Sequence, residues 1–528
     1  MKISQYAKVF ISVEFAGLSL MSCTSNQPEK VIESKRPNII LMMSDDHAQK
    51  AISAYDSTLI NTPGIDRIAN EGMLFTNSFV ANSICAPSRA VMLTGKHSHL
   101  NGLRDNQDVF DGSQVTFPKL LQSTGYYTTL IGKWHLKSEP TGFNFWKILN
   151  DQGEYYNPDF IEMGDTVLSN GYVSDLITDY AIQSLKNRDK SKPFCMIYNH
   201  KAPHRSWMPD TTDLYLFEDV EFPVPETFFD DYKGRKAAEL ADMRITDMYL
   251  TWDMKLQPGE YEKESTRGGS GQTPFKEVEE YAKAWLDRMS PEQRKAWDDY
   301  YKPRNNVFTE LNLTGKELAL WMYQRYISDY LKCVVSVDRN INRLLDYLEE
   351  NQILDNTIII YTSDQGFYLG EHGWYDKRFM YEESFRTPLL IRYPKEIKAG
   401  STCDNLVQNI DYAPTILDLA NINIPDEMQG KSLRPLWQNN EPAQWRNALY
   451  YHYYEYPYGW HNVNKHDGIR TDRYKLIDFY EMEIFELYDL RTDPNEMNNL
   501  SDDPDYQTIK DSLKIELDKI RDYYNVVF

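Results

Sequence analysis

The stretch Asn38-Ile39-Ile40-Leu41-Met42-Met43-Ser44-Asp45-Asp46-His47 decides the fold of this chain. Five apolar residues follow Asn38 without interruption, which predicts a strand covered on both faces, as in a parallel sheet. Two adjacent carboxylates come directly after that strand. Because they repel one another, we expect a positive group to lie between them, unless this is a solvated turn.

Other parts of the chain repeat the pattern. Strand-like apolar runs are found at Tyr127–Ile131, Phe194–Tyr198, Thr357–Tyr361 and Pro388–Arg392. Helical patterns are found at Gly64–Glu71, Ser88–Leu93, Phe117–Leu121, Ser174–Arg188 and Leu318–Glu350. Strands that alternate with helices predict an α/β fold, in which a parallel or mixed sheet lies between two helical layers. In such folds ligands bind beyond the carboxyl ends of the strands.

The length, the net charge and the number of cysteines exclude several classes of protein. At 528 residues the chain is too long for one small domain. Its net charge of −22 argues against nucleic acid as a partner, since nucleic acid binding needs a basic face. The five cysteines match neither a disulfide framework nor a zinc site.

Domain limits follow from changes in composition. Residues 1–23 contain Lys2, Lys8, a short apolar run and Leu20-Met21-Ser22-Cys23, which resembles a bacterial lipobox. This predicts an exported protein in the periplasm or at the cell surface, anchored to the membrane only by lipid on Cys23; an ordinary cleaved signal or a poorly ordered tail is the alternative. Residues 24–36 then form a tether. We place the large domain at 37–435, with an insertion at about 226–304, and a C-terminal subdomain at 436–528.

Oxygen ligands follow a second strand as well. Thr362-Ser363-Asp364-Gln365-Gly366 comes after the run at Thr357, just as the paired aspartates come after the run at Asn38. The carboxyl ends of parallel strands meet at one edge of a sheet, so we expect both clusters to form one site. Oxygen ligands favour Ca²⁺ or Mg²⁺ over zinc.

Basic residues also collect after predicted strands. Lys133 and His135 lie two apart in Gly132-Lys133-Trp134-His135, a spacing that aims both side chains the same way on an extended segment. His204 follows the run at Phe194, and His372, Lys377 and Arg378 follow Asp364. Structural roles are the alternative, and we expect them for about half of the histidines in these loops.

The segment Cys85-Ala86-Pro87-Ser88-Arg89, followed by Ala90-Val91-Met92-Leu93-Thr94-Gly95-Lys96, resembles the maturation motif of type I sulfatases. The paired aspartates, GKWH, Lys201-Ala202-Pro203-His204, TSDQG, Asp376-Lys377-Arg378 and the closing Glu486–Glu496 match the family in order. Residues 36–500 therefore resemble the sulfatase branch of the alkaline-phosphatase superfamily. The resemblance implies a large α/β/α sandwich with a mainly parallel sheet, and a small C-terminal α+β domain with an antiparallel sheet.

The resemblance also implies a site. A maturation enzyme would oxidise Cys85 to formylglycine (3-oxoalanine), whose hydrated aldehyde attacks sulfate esters; the alternative is an ordinary half-buried thiol. Ca²⁺, with Mg²⁺ as the alternative, would be held by Asp45, Asp46, Asp364 and Gln365 together with the modified Cys85. Many relatives have Asn or His at the position of Gln365. Arg89 would steady the aldehyde, and Lys133, His135, His204 and Lys377 would surround the sulfate. A helix that begins at Ser88 would turn its positive end toward this anion.

The substrate is expected to be a sulfated oligosaccharide. The aromatic stretch Tyr450–Trp460 suits the outer wall of a sugar pocket. We assign sugar binding to His372, Arg378, His461, His466 and Arg470. Three segments resemble those of bacterial polysaccharide sulfatases that act on N-acetylglucosamine 6-sulfate: Gly132–Pro140, Gln152–Tyr156 and Asp376–Arg378. The alternatives are a sulfatase for ulvan-type algal glycans, a phosphoester or phosphonate hydrolase of the same superfamily, and a catalytically silent glycan-binding lipoprotein.

Overall fold

The computed structural model describes residues 36–256, 275–438, 445–457 and 460–527. The predicted signal peptide, Cys23 and all of the predicted tether except Arg36 lie outside these ranges, as does part of the predicted insertion. Among the helices in these ranges, none combines the length and the apolar composition that crossing a bilayer requires.

The strands form one large sheet, one small sheet and a two-stranded ribbon. They are β1 (Asn38–Ser44), β2 (Met73–Phe75), β3 (Ser78–Phe79), β4 (Tyr127–Gly132), β5 (Phe145–Leu149), β6 (Asp159–Glu162), β7 (Asp165–Leu168), β8 (Phe194–Asn199), β9 (Thr357–Ser363), β10 (Leu389–Arg392), β11 (Ser401–Cys403), β12 (Val407–Gln408), β13 (Ala448–Tyr453), β14 (His466–Thr471), β15 (Tyr474–Phe479) and β16 (Ile484–Asp489).

The helices lie between these strands and after the last of them. They are α1 (Pro63–Asn70), α2 (Cys85–Thr94), α3 (Ser98–Asn101), α4 (Phe117–Ser123), α5 (Val173–Asn187), α6 (Lys236–Leu240), α7 (Phe275–Asp287), α8 (Pro291–Leu311), α9 (Gly315–Glu350), α10 (Glu382–Phe385), α11 (Tyr412–Leu419) and α12 (Gln507–Tyr524).

The large sheet has ten strands in the order β11-β2-β10-β9-β1-β8-β4-β5-β6-β7. The run from β9 to β5 is parallel throughout, whereas β10, β6 and β7 each pair antiparallel with their neighbours. All carboxyl ends of the parallel run, including those of the neighbouring strands β1 and β9, therefore meet at one edge. That edge is where α/β folds place their ligands.

Strand β1 is buried on both faces, as its sequence predicts. Ile40 and Met42 pack into one core with α1, α5 and α9, and Ile39, Leu41 and Met43 pack into the other core with α2, α4 and α11. Successive side chains point to opposite faces of a strand, so one apolar run supplies both cores. The predicted α/β/α arrangement is confirmed.

The C-terminal sheet is antiparallel, in the order β13-β14-β15-β16. Leu513 and Leu517 of α12 are buried against one of its faces. The opposite face packs against residues of the large domain, among them Phe79, Phe379 and Phe385. This confirms the prediction of a small domain with an antiparallel sheet.

Several boundaries differ from the sequence-based expectation. Helix α2 begins at Cys85 rather than at Ser88. Pro87 then lies in the first turn, which tolerates proline because the backbone N–H groups there have no acceptor within the helix. The long helix α9 begins at Gly315, one turn before the predicted Leu318. The predicted end of the insertion, at Arg304, falls inside the 21-residue helix α8.

A tyrosine of α9 joins that helix to the carboxyl end of β1. The hydroxyl of Tyr330 donates to the carbonyl of Asp46 at 2.7 Å and accepts from the amide of Ala48 at 2.8 Å. All three residues are buried. A buried backbone group without a partner is costly, so this hydroxyl fixes the loop that carries the paired aspartates.

The substitution Tyr330→Phe is expected to lower the free energy of unfolding by about 1–3 kcal/mol, because it leaves a buried N–H and a buried C=O unpaired. Denaturant unfolding measures this change. Tyr523→Phe is the matched control, since Tyr523 is 73% exposed. Equal effects of the two substitutions would show that the Tyr330 hydroxyl does not hold the loop.

Candidate active site

The paired aspartates meet Asp364 at the predicted edge of the sheet. Ser44 and Ser363 are partners at the ends of β1 and β9, so the next residues of both strands emerge side by side. One carboxylate oxygen from each of Asp45, Asp46 and Asp364 lies within 4.8 Å of the others. These side chains are almost wholly buried. The two predicted ligand clusters therefore form one cluster.

Several oxygen atoms of this cluster have no hydrogen-bond partner among the described residues. They are Asp45 Oδ1, Asp46 Oδ2 and Gln365 Oε1. The amide nitrogen of Gln365 donates to Asp46 Oδ1, which leaves the amide oxygen free to act as a ligand. Buried oxygen atoms are ordinarily paired, and a carboxylate and amide donor set suits a hard divalent cation such as Ca²⁺ or Mg²⁺.

The charges of the cluster also fit a cation. Burial, with neighbouring carboxylates, raises the pKa of Asp46 to about 7 and that of Asp364 to about 6. Burial acts in the same direction on Asp45, but Lys133, His204 and Arg89 together hold the pKa of that carboxyl well below its usual value. A divalent cation would relieve the repulsion that the basic residues leave uncompensated.

Cys85 opens helix α2 beside this cluster. Its Sγ, a carboxylate oxygen of Asp45 and a ring nitrogen of His204 lie within 4.8 Å of one another. Burial raises the pKa of the thiol to about 11. Reactive cysteines have a lowered pKa, so an unmodified Cys85 is a poor nucleophile at neutral pH.

Arg89 lies one turn further along α2, on the same face of the helix as Cys85. Its Nε and Nη2 donate to Asp364 Oδ2 at 3.1 and 2.8 Å, and its Nη1 donates to the Lys133 carbonyl at 3.0 Å. The guanidinium thus ties the helix of residue 85 to β9 and to the end of β4. Ser88 adds a hydrogen bond from its hydroxyl to the Asp364 carbonyl.

The side chains of Lys133 and His135 lie close together, as predicted. The predicted reason, alternation along an extended strand, is wrong. Gly132 and His135 both have positive φ, at 100° and 58°, so the chain turns after β4. A Cβ at Gly132 would lie 1.9 Å from the Asn199 carbonyl oxygen, which makes glycine necessary at this close approach. Lys133 pairs with Asp45. Both Lys133 and His135 contact Gln152, to which the sequence assigned no role beyond its place in a family-like segment.

His204 and Lys377 approach the cluster from two further loops. Lys377 Nζ lies 2.6 Å from Asp46 Oδ1, and His204 Nε2 lies 3.7 Å from Asp46 Oδ2. Burial opposes the charge of Lys377, but Asp46 and other anions nearby hold its pKa well above the usual value. Burial and Lys133 keep the pKa of His204 well below its usual value.

Arg378 and His461 form a network beside Lys377. Arg378 lies 3.1 Å from Glu455 Oε1 and 3.3 Å from Asp376 Oδ1, and His461 Nε2 lies 3.0 Å from Asp376 Oδ2. Asp376 and Glu455 were not among the predicted site residues. The place of Asp376 directly before Lys377 was the available signal, whereas Glu455 gave none.

The structure does not bring His372, His466 and Arg470 to this cluster, which corrects their assignment to sugar binding. His372 is fully buried and lies 2.8 Å from Asp230. His466 is fully buried among aromatic rings. Arg470 is 4% exposed and pairs with Glu382 over the ring of Phe79. For His466 and Arg470 the reason is the fold of the small sheet, whose strand β14 turns alternate side chains into the interface between the two domains. His372 lies in the loop after β9, where Asp230 holds it.

Comparisons with known proteins agree with the fold and identify the family. The model of the family described as Sulfatase matches residues 37–422, and the one described as N-sulphoglucosamine sulphohydrolase, C-terminal, matches residues 370–523. A protein of Bacteroides thetaiotaomicron named N-acetylglucosamine-6-O-sulfatase is 50% identical over 517 residues, which is 96% of this chain and 90% of that protein.

Two further comparisons concern a relative of lower identity and a solved structure. A protein of Formosa agariphila named ulvan-active sulfatase is 24% identical, over 99% of this chain and 90% of its own length. A solved structure, described as a complex with its substrate D-glucosamine-2-N,6-O-disulfate, is 50% identical with a TM-score of 0.88, over 93% of this chain and 98% of that one.

Addition of Ca²⁺ at about one hundred times its Kd is expected to raise the free energy of unfolding by about 2.7 kcal/mol, because the cation binds only the folded protein. Asp46→Asn should remove most of this gain, since it deletes an anionic ligand. Thermal unfolding with Ca²⁺, with Mg²⁺ and with a chelator measures both effects.

The control is Asp489→Asn. Asp489 is equally buried but pairs with Arg473 in the small sheet, so this variant should keep the full response to the cation. A response that is the same in Asp46→Asn and in the unaltered protein would place the cation elsewhere.

Proposed function

Because this chain belongs to the sulfatase family, and is therefore a sulfuric ester hydrolase, we propose that it removes the 6-O-sulfate of N-acetylglucosamine, or of related glucosamine residues, in oligosaccharides from sulfated polysaccharides. The observation that carries this proposal is the 50% identity to a protein named N-acetylglucosamine-6-O-sulfatase over almost the whole chain. The relative named as ulvan-active is 24% identical, which makes an algal glycan the second choice.

The proposed nucleophile is formylglycine at position 85, made from Cys85 by a maturation enzyme. A thiol that burial keeps protonated would not attack a sulfate ester, whereas a hydrated aldehyde offers a hydroxyl group for the attack. The position suits the role, because residue 85 begins a helix and lies beside Asp45 and His204. Helix N-termini favour anions.

Asp45, Asp46, Asp364 and Gln365 are proposed to hold Ca²⁺, with Mg²⁺ as the alternative. A divalent cation in such a site neutralises sulfate oxygens and lowers the pKa of the attacking hydroxyl. The unpartnered oxygens of Asp45, Asp46 and Gln365 support this ligand set. Arg89 would keep Asp364 in place through its two hydrogen bonds to Oδ2.

Lys133 and Lys377 are proposed to bind the sulfate from two sides. Lys133 pairs with Asp45 and Lys377 with Asp46, so both ammonium groups are held next to the carboxylates before any ligand arrives. Fixed positive charge in a buried site stabilises the negative charge that develops in the transition state, and no reorganisation is then needed.

His204 is proposed to give a proton to the departing sugar oxygen. Its Nδ1 donates to the Arg205 carbonyl at 2.8 Å, so Nε2 is the nitrogen that can take up and release a proton. Burial and Lys133 lower the pKa of His204 in the protein without ligand, and a bound sulfate ester, as a nearby anion, would raise that pKa so that Nε2 carries the proton. That nitrogen lies on the side of Asp46. A positioned acid of this kind typically contributes about 10²–10⁴-fold to the rate.

The network of Arg378, Asp376, His461 and Glu455 is proposed to read the hydroxyl groups of the sugar. Its members are buried, and each of them pairs with another member of the network. A site built to hydrogen-bond a hydroxyl discriminates strongly against sugars that lack it, because its own polar groups are then left unpaired.

Export and lipid attachment at Cys23 remain proposals that rest on the sequence of residues 1–23.

Matured protein is expected to release sulfate from N-acetylglucosamine 6-sulfate, and Cys85→Ala is expected to lose the activity because the methyl side chain of alanine offers neither a thiol nor a hydroxyl for oxidation to the aldehyde. Chromatography of a panel of sulfated sugars, including ulvan oligosaccharides, measures the first outcome. Mass spectrometry of the peptide that spans residue 85 in the unaltered protein should show an aldehyde in place of the thiol. An intact thiol in protein from its native host would favour the silent glycan-binding alternative.

The phosphoester alternative has its own test. Hydrolysis rates of a matched aryl sulfate and aryl phosphate should favour the sulfate. A dominant phosphate rate would contradict the proposed function.

Arg378→Ala is expected to raise KM or lower kcat/KM for the sugar sulfate while leaving hydrolysis of a small aryl sulfate nearly unchanged, since an aryl ring offers no hydroxyls to read. The expected loss for the sugar is about 1.5–3 kcal/mol of binding, the range for a hydrogen bond to a charged group. Steady-state kinetics on both substrates measure it. Arg473→Ala, in the small sheet, is the matched control. An equal loss on both substrates would contradict sugar recognition by Arg378.

A further inference from the structure

Gln152 occupies a place that the sulfatase reaction, as described above, does not explain. It follows β5, which runs parallel to β4 with Gly132 beside Ile148, so the loop after β5 lies next to Lys133 and His135. The backbone carbonyl of Gln152 accepts a hydrogen bond from Lys201 at 3.2 Å. Gly153, at φ 68°, turns the chain directly afterwards. The side chain of Gln152 is thus held between the two basic residues.

The amide of Gln152 can face its neighbours in one way only. Lys133 is a donor without any acceptor, so the oxygen of the amide must face Lys133. The amide nitrogen then faces His135 Nε2, at 2.8 Å. An NH₂ group only donates, so His135 Nε2 must accept and must carry a lone pair.

This arrangement fixes the tautomer of His135. A neutral imidazole with a lone pair on Nε2 carries its proton on Nδ1. His135 Nδ1 is buried and has no hydrogen-bond partner among the described residues, so an N–H group is left for a ligand. The imidazolium form would place an N–H group against the NH₂ of Gln152, which disfavours it.

We propose that Gln152 is a positioning residue that holds neutral His135 with its proton on Nδ1, so that His135 meets the bound sulfate group as a hydrogen-bond donor. His135 then does not supply the proton for the leaving oxygen, and that step belongs to His204. The inference rests on the proposed function only for the identity of the ligand, because the tautomer itself follows from the hydrogen bonds.

Charged groups around His135 act in the same direction. Lys133, Arg89 and Lys377 disfavour its cationic form, Asp45 favours it, and burial disfavours it most, so that its pKa lies well below the usual value. Asp151 Oδ1 lies 3.7 Å from His135 Nε2 but is 74% exposed, which weakens its attraction.

The test is Gln152→Glu, which replaces the NH₂ donor by an acceptor of the same size. In matured protein with Ca²⁺ and ¹⁵N-labelled histidine, the unaltered protein should show His135 protonated on Nδ1 alone. The signal that is missing from the spectrum of His135→Gln is the one that belongs to His135. Gln152→Glu should place a proton on Nε2 and raise the pKa of His135, because a carboxylate favours the charged ring.

The change in kcat should accompany the change in the protonation of His135 that the spectrum reports. Gln152→Glu is expected to lower kcat by about 10–100-fold, by analogy with the outer partners of metal-ligating histidines, and to add a His135 titration to the pH profile of kcat. Gln183→Glu, on the exposed face of α5, is the matched control and should change neither. A purely structural role of Gln152 would lower stability without moving the tautomer.

A proton on Nε2 in the unaltered protein would overturn the proposal, and so would an unchanged tautomer in Gln152→Glu. If that variant does not fold, the spectrum of the unaltered protein decides alone. Absence of sulfate release by the unaltered protein would contradict the proposed function and leave the spectrum interpretable, so the two failures are distinguishable.

Discussion

The structure depends on one electrostatic constraint, which is the burial of three carboxylates at the ends of two neighbouring strands. Asp45, Asp46 and Asp364 have almost no exposed surface, and their oxygens lie within 4.8 Å of one another. Like charges at this separation in a buried place are strongly unfavourable unless cations compensate them. The rest of the site consists of groups that supply this compensation.

Each of the basic side chains that compensate the carboxylates reaches the cluster from a different part of the chain. Arg89 comes from α2, Lys133 from the end of β4, and Lys377 from the loop after β9, and each pairs with one of the carboxylates. A site balanced in this way is ordered before a ligand binds. The pKa values of Asp46 and Asp364, which burial raises to about 7 and 6, indicate that these side chains alone leave the balance incomplete. A divalent cation and a bound sulfate would complete it with opposite charges.

The two-domain arrangement also explains why some conspicuous polar residues are structural. The small sheet turns His466 and Arg470 toward the large domain, where aromatic rings and Glu382 bury them. Paired polar groups of this kind make an interface specific without contacting a ligand.

The acidic exterior, at a net charge of −22, contrasts with the basic groups gathered in the site. An anionic substrate must therefore be attracted at short range, within the pocket.

The sequence by itself determined the class of fold, the edge of the sheet that carries the site and the metal-ligand candidates, because unbroken apolar runs such as Ile39–Met43 specify buried strands and polar residues that follow such strands share one edge. Only the tertiary structure decided which polar residues meet. Gln152 and Glu455 are brought in by loops whose course no local pattern records. His466 and Arg470 are turned away by the packing of the second domain, and His372 by its pairing with Asp230. Local periodicity fixes the direction of a side chain within an element, whereas contacts between distant loops depend on how whole elements pack.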